Sequence, residues 1–171
     1  MKVKTFVYGA LLTALALVIP LMFGGFLRIY IPPFSATLAS HVPMILSMLL
    51  GPFVAAMVGI GSTLGFLIVL GPVIAARAAV HILVGVVGAY LIKSGRPFLQ
   101  VALLVTPIHA IGEALVVIPF GFGLYDAGVV VGIGTILHYL VDVAIAFSVY
   151  KALQHASINI FNPEGENQGN I

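Results

Sequence analysis

Three pairs of ionisable side chains lie four residues apart inside otherwise apolar stretches: Arg77 with His81, His109 with Glu113, and His138 with Asp142. Residues i and i+4 share one face of a helix, so each pair presents two polar groups in one direction. An arginine at the centre of a membrane-spanning helix costs about 2.5–3.5 kcal/mol on insertion scales. Such a residue is kept when it faces a protein interior or a wet cavity. A guanidinium fork suits a carboxylate or a phosphate. The chemistry implied is therefore capture of a small anion, with Phe34, Phe120 and Tyr139 available to pack on an aromatic ring. His41, in the run Ser40-His41-Val42-Pro43, adds a further imidazole.

Each residue also has a plainer reading. Arg77 and Glu113 can neutralise one another as a buried pair, and the histidines can act as interhelical hydrogen-bond donors. His138 and Asp142 can satisfy each other, and Glu, Asp and His together can relay protons. The set as a whole favours a binding site, because several segments contribute at similar depths. A metal centre is not expected. Four of the five histidines and the carboxylates Glu113 and Asp142 lie within the apolar spans, but no HExxH-type spacing appears, and Arg77 would repel a cation. No other cofactor is expected.

The elements that position these residues are set by composition. The chain has 171 residues, 61% hydrophobic and 7% charged, which makes the bilayer its solvent. With no cysteines, disulfides, thiolate catalysis and zinc–thiolate sites are excluded. No Gly-rich phosphate loop is present, so work against a gradient must draw on an ion or a partner. No compact nucleophile–base motif marks an enzyme.

The fold expected is an all-α integral membrane protein, a compact bundle of six transmembrane helices within residues 1–151, followed by a polar tail, 152–171, read as disordered. The spans are placed at about Thr5–Phe23, Ala36–Leu50, Phe53–Leu70, Pro72–Leu91, Pro97–Phe120 and Ala127–Tyr150, with Pro107 and Pro119 disturbing the fifth. Between the first two lies Gly24–Ser35, an apolar connection carrying Arg28, Tyr30 and Phe34. It reads either as a lid over a site or as an interfacial segment anchored by Phe26 and Tyr30. Six spans put both termini on one side. Lys2, Lys4, Lys93, Arg96 and Lys151 then share that side, the cytoplasm by the positive-inside rule, and Arg28 stands opposite. Counting along helices puts His41 and Arg77 near the outer surface, His81, His109 and His138 at mid-depth, and Asp142 deeper. Ala10 and Ala14 in the first span let another helix approach closely, from a partner or from the same chain.

These features resemble the substrate-binding S component of energy-coupling factor (ECF) vitamin transporters, over about Lys4 to Lys151. The residues that carry the resemblance are Ala10-Leu-Leu-Thr-Ala14, PPFSATLASHVPMILSMLLGPFVA, GSTLGFLIV and RAAVH, most like the niacin-specific branch. The resemblance implies a bacterial cell-membrane protein that captures a vitamin outside. It then joins a transmembrane T component and two ATPases, which topple it to release the ligand inside. Arg77 would fork onto the nicotinate carboxylate, and His81 or His109 would face the pyridine nitrogen. Glu113, Tyr139 and His41 would orient these groups or close the pocket, with His138 a further substrate-binding candidate; the segment with Arg28, Tyr30 and Phe34 would form the lid, and Ala10 and Ala14 would dock the T component. The competing readings are an autonomous proton-coupled carrier, using Glu113 or Asp142, and an S component for a different vitamin.

Overall fold

A computed structural model describes residues 3–156. Most of them are helical: α1 (Val3–Phe23), α2 (Val42–Ser47), α3 (Pro52–Val69), α4 (Pro72–Lys93), α5 (Phe98–Leu104), α6 (Thr106–Val117) and α7 (Gly134–His155). A π-helical stretch, Asp126–Ile133, leads into α7. Among the described residues, five units are long and apolar enough to cross a bilayer: α1, α3, α4, α5–α6 through Phe120, and the stretch from Asp126 to His155. Gly51 and Gly71 take positive φ immediately before Pro52 and Pro72, so tight turns start α3 and α4. The fifth unit breaks at Val105, just ahead of Pro107, as its prolines foretell. Helix α7 ends at His155, and the polar tail beyond Ala156 lies outside the described residues.

The second expected span differs. Ala36–Leu50 is not one helix. It begins in strand β2 (Phe34–Thr37), turns, and becomes helical only in α2 and a following 3₁₀ turn, Met48–Leu50. Strand β2 pairs antiparallel with β1 (Arg28–Ile31), with Arg28 opposite Thr37 and Ile31 opposite Phe34, around a Pro32-Pro33 turn. The Gly24–Ser35 connection is thus the first part of a β-hairpin. Aromatic and β-branched residues favour extension here, and Pro43 at the start of α2 marks where the helix can begin. Strand β1 is exposed and β2 is mostly buried against the helices.

Helix order follows from which residues meet. Gly9 faces Val54 and Met57, Thr13 faces Gly61 and Leu17 faces Gly65, so α1 and α3 run parallel. Helices α3 and α4 are antiparallel, with Gly59 against Ile82 and Gly85 against Ala55. A Cβ at Gly59 would come within 2.8 Å of the Ile82 Cα and 2.9 Å of its backbone nitrogen, so the helix axes, not a side chain, would have to move. Gly59→Ala is therefore expected to cost about 1–3 kcal/mol, visible as a lower thermal midpoint in detergent.

The bundle is apolar outside and partly polar within. Ile68, at 85% exposed, and other large apolar side chains such as Leu64, Leu83 and Leu115 face outward, while Asp142 and His109 are fully buried. That arrangement suits a lipid surround, in which ionisable groups turn toward the protein interior.

Candidate functional site

Helices α4, α6 and α7 bring the three sequence pairs together from adjacent walls. Arg77 and Glu113 form an ion pair between α4 and α6, with Arg77 Nε and Nη2 donating to Glu113 Oε2 at 3.0 and 2.7 Å. The same oxygen accepts from Thr135 Oγ1 at 2.6 Å. The remaining arm, Nη1, donates to the Pro33 and Ser35 carbonyls of the hairpin at 3.4 and 3.3 Å. The guanidinium also lies 5.3 Å from the Phe34 ring centroid, and Phe34 itself rests on Gly134, where an added Cβ would come within 3.0 Å of the ring and push it aside by a few tenths of an ångström. Arg77 thus ties α4, α6 and the hairpin into one unit.

A second node forms around Asp142. Its carboxylate accepts the backbone N–H groups of Ala39 and His41 at 2.7 and 2.9 Å and the His41 Nδ1–H at 3.0 Å. Ala39 has φ of 67°, a left-handed conformation rare for alanine. The two N–H groups aimed at one carboxylate account for it, as in an anion-binding nest. This turn swings His41 into the core. Helix counting placed His41 shallow and Asp142 deep, and the structure joins them. An extended strand advances about 3.3 Å per residue against 1.5 Å in a helix, so β2 carries the chain farther inward than six residues of helix would.

The imidazoles of His41, His81 and His109 then meet, with ring centroids 4.9, 4.7 and 5.0 Å apart. His138 lies 4.8 Å from His41 and shares a hydrogen bond with the Thr37 carbonyl at 3.0 Å. Tyr139 packs edge-on against His109. His109 Nε2 sits 3.2 Å from Glu113 Oε1, and His81 Nε2 3.6 Å from the same oxygen. Among the described residues, three buried side-chain polar atoms make no hydrogen bond to protein: His81 Nε2, His109 Nδ1 and Tyr139 Oη. Buried polar groups are nearly always paired, and these three exceptions belong to rings that pack in sequence, His81 on His109 and His109 on Tyr139.

Beside these nodes lies a cavity of about 200 Å³. Six sequence-predicted residues line it: Arg28, Tyr30, His41, Arg77, His81 and Glu113. His109, His138, Tyr139 and Phe34 stand behind it, in contact with lining residues but not on its wall. Ala10 and Ala14 are elsewhere, exposed in a shallow groove between α1 and α3. Sequence reasoning passed over Met44, Ser62 and Phe66 on the cavity wall, and Thr135 beneath it. Thr135 had a legible signal: 135, 138, 139 and 142 follow the i, i+3, i+4, i+7 pattern of one helix face.

The fold thus holds a chamber bearing cations and imidazoles, walled by helices long and apolar enough to cross a bilayer and covered by a hairpin. The chain is 35% identical over 179 residues to the niacin transporter NiaX of Lactococcus lactis subsp. cremoris, an alignment covering 94% of this chain and 80% of that protein. It belongs to that protein's family, the S components of ECF vitamin transporters, in the niacin branch. It is accordingly a multi-pass bacterial membrane protein with a transport role and not an enzyme. No protein-family model matches the chain, and no solved structure matches it.

Proposed function

We propose that this protein captures niacin, as the nicotinate anion, from outside the cell and delivers it to an ECF module whose T component and two ATPases drive uptake. The observation that carries this reading is the cavity under the hairpin. Its volume, about 200 Å³, is below the roughly 300–1,000 Å³ of drug-sized sites and suits a single substituted ring. Its wall pairs Arg28 and Arg77 with the His81 imidazole, and Met44 and Phe66 supply apolar faces. The activity in the name of the Lactococcus relative supports the same ligand.

Roles shift from the simplest expectation. Two of the three arms of Arg77 are held by Glu113, and the third makes only long contacts to hairpin carbonyls. The ligand carboxylate is therefore assigned to Arg28, which lines the cavity from the exposed hairpin and stacks on Tyr30 at 4.5 Å. Arg77 Nη1 joins it by releasing the carbonyls. His81 faces the pyridine nitrogen, while His109, His138 and Tyr139 hold the inner wall. The hairpin acts as the lid.

A six-fold crossing with both ends in the cytoplasm is part of this reading. Parallel packing of α1 and α3 supports it, because the chain between them has to return across the bundle. Lys4, Lys93, Arg96 and Lys151 then gather at one end and Arg28 at the other.

The test is calorimetric titration of nicotinate into the purified full chain in detergent. One site per chain is expected, and Arg28→Ala should weaken it about tenfold, the scale of one charge-assisted hydrogen bond. Absence of nicotinate binding by the unmutated chain would end the niacin assignment.

A further inference from the structure

We propose that His41, His81, His109 and Glu113 form a four-ligand, tetrahedral binding site for one divalent transition-metal ion of the zinc class, which expands to five-coordinate on the cavity side when it takes the ring nitrogen of the captured ligand. Each of the four residues offers one ligand atom, and these atoms all lie within 4.8 Å of one another. Zinc–nitrogen bonds of about 2.0–2.1 Å in a tetrahedral site place neighbouring donors roughly 3.3–3.4 Å apart. The widest pair has only to close by about 1.5 Å, a matter of small ring rotations on fixed helices. The three imidazoles already stand at the corners of a nearly equilateral triangle, with centroids 4.7–5.0 Å apart.

Hydrogen bonding points the same way. His41 gives its Nδ1 to Asp142, the carboxylate–histidine arrangement that orients a metal ligand and leaves Nε2 to coordinate. His81 Nε2 and His109 Nδ1 are buried without a hydrogen-bond partner. Glu113 divides its labour: Oε2 takes Arg77 and Thr135, and Oε1 faces the two histidines. Arg77 is thus already neutralised on the far side of that carboxylate. The buried charges also want a cation. Among the described residues, one guanidinium, Arg77, stands against two buried carboxylates, Glu113 and Asp142. That balance is wrong for admitting an anion, and a divalent ion reverses it. The neighbouring trio His41, His138 and Asp142 is a poorer candidate, because His138 is engaged with the Thr37 carbonyl and Asp142 with two backbone N–H groups.

The ligand half of this inference rests on the proposed capture of nicotinate, whose pyridine nitrogen is a borderline donor like imidazole. The metal half stands on the four side chains alone. The experiment is titration of Co²⁺ into chelator-washed full chain in detergent, followed by absorption spectroscopy, with nicotinate titrated before and after addition of Zn²⁺. One Co²⁺ per chain with tetrahedral ligand-field bands is expected, lost in His81→Ala and in His109→Ala. Nicotinate should bind at least tenfold more weakly after chelation and recover with Zn²⁺. If Co²⁺ gives no bands with the unmutated chain, the site is refuted whether or not the variants fold. Bands abolished by His138→Ala but unaffected by His81→Ala would also refute the assignment. Nicotinate bound equally well with and without chelator overturns the ligand half and leaves the niacin reading standing, whereas Co²⁺ bound without any nicotinate binding sinks the niacin reading and leaves the metal site.

Discussion

Arg77→Ala is expected to destabilise the protein by about 3–5 kcal/mol, the usual consequence of stripping one partner from a buried ion pair, and to lower nicotinate affinity at least tenfold. Glu113 is 2% exposed, so the carboxylate left behind has no water to turn to and keeps only Thr135 and the histidines. The hairpin also loses its two carbonyl contacts to Nη1 and with them its fixed seat over the cavity. Stability and binding separate in the double variant Arg77→Ala/Glu113→Gln. Removing the orphaned charge should restore most of the thermal midpoint, because the penalty in the single variant is chiefly the unpaired carboxylate. Affinity should stay low, because the cation that would join the ligand carboxylate is still missing. Arg77→Lys should behave more like Ala than like Arg, since an ammonium cannot reach one carboxylate and two carbonyls in a planar fork. Thermal unfolding and calorimetry on the same three preparations check this. A double variant that binds nicotinate as well as the native chain would remove Arg77 from the site and leave it a structural tie.

The polar residues that build this chamber were legible because lipid makes them costly. Arg77, Glu113, His109 and Asp142 each interrupt an apolar run, and nothing but an interior partner or a cavity offsets that. The break at Val105 was legible for a similar reason, since Pro107 cannot be bonded within a helix. The run from Phe34 to Leu50 was not legible. A short apolar stretch of mixed β-branched, aromatic and aliphatic residues fits a strand or a buried helix equally well. The decisive interaction, Asp142 drawing in the Ala39 and His41 amides, spans about a hundred residues of sequence. The histidine cluster was hidden by the same distance. A motif search looks for ligands one turn apart, and here His41, His81 and His109 come from three separate segments whose meeting depends on where β2 ends.

Ala14→Trp is expected to abolish nicotinate uptake by the assembled transporter while leaving binding to the purified subunit within about twofold, since well-separated sites act independently. The reason lies in how α1 divides its surface. Gly9 and Ala16 are its buried positions, and most of its length faces outward. Gly9 and Thr13 face α3, which answers whether the small residues of α1 serve its own packing: some do. Ala10 and Ala14 do not. They lie one turn apart on the exposed side, flooring a shallow apolar groove of about 560 Å³ whose α3 wall includes Phe53, Met57 and Ile60. Small residues four apart allow a second helix to approach until backbones touch, and in lipid that close packing is itself the attraction. An indole at position 14 fills the groove and holds an incoming helix away. The ligand cavity meets α1 only at Ala16 and Pro20, so the capture site keeps its walls. Ala14→Gly should sustain uptake and Ala14→Leu should reduce it in part, a size series that distinguishes a docking face from a fold defect. Measuring uptake in cells that carry the ATPase module, alongside calorimetry on each purified variant, tests both halves. Undiminished uptake by the tryptophan variant would move the docking face off this helix.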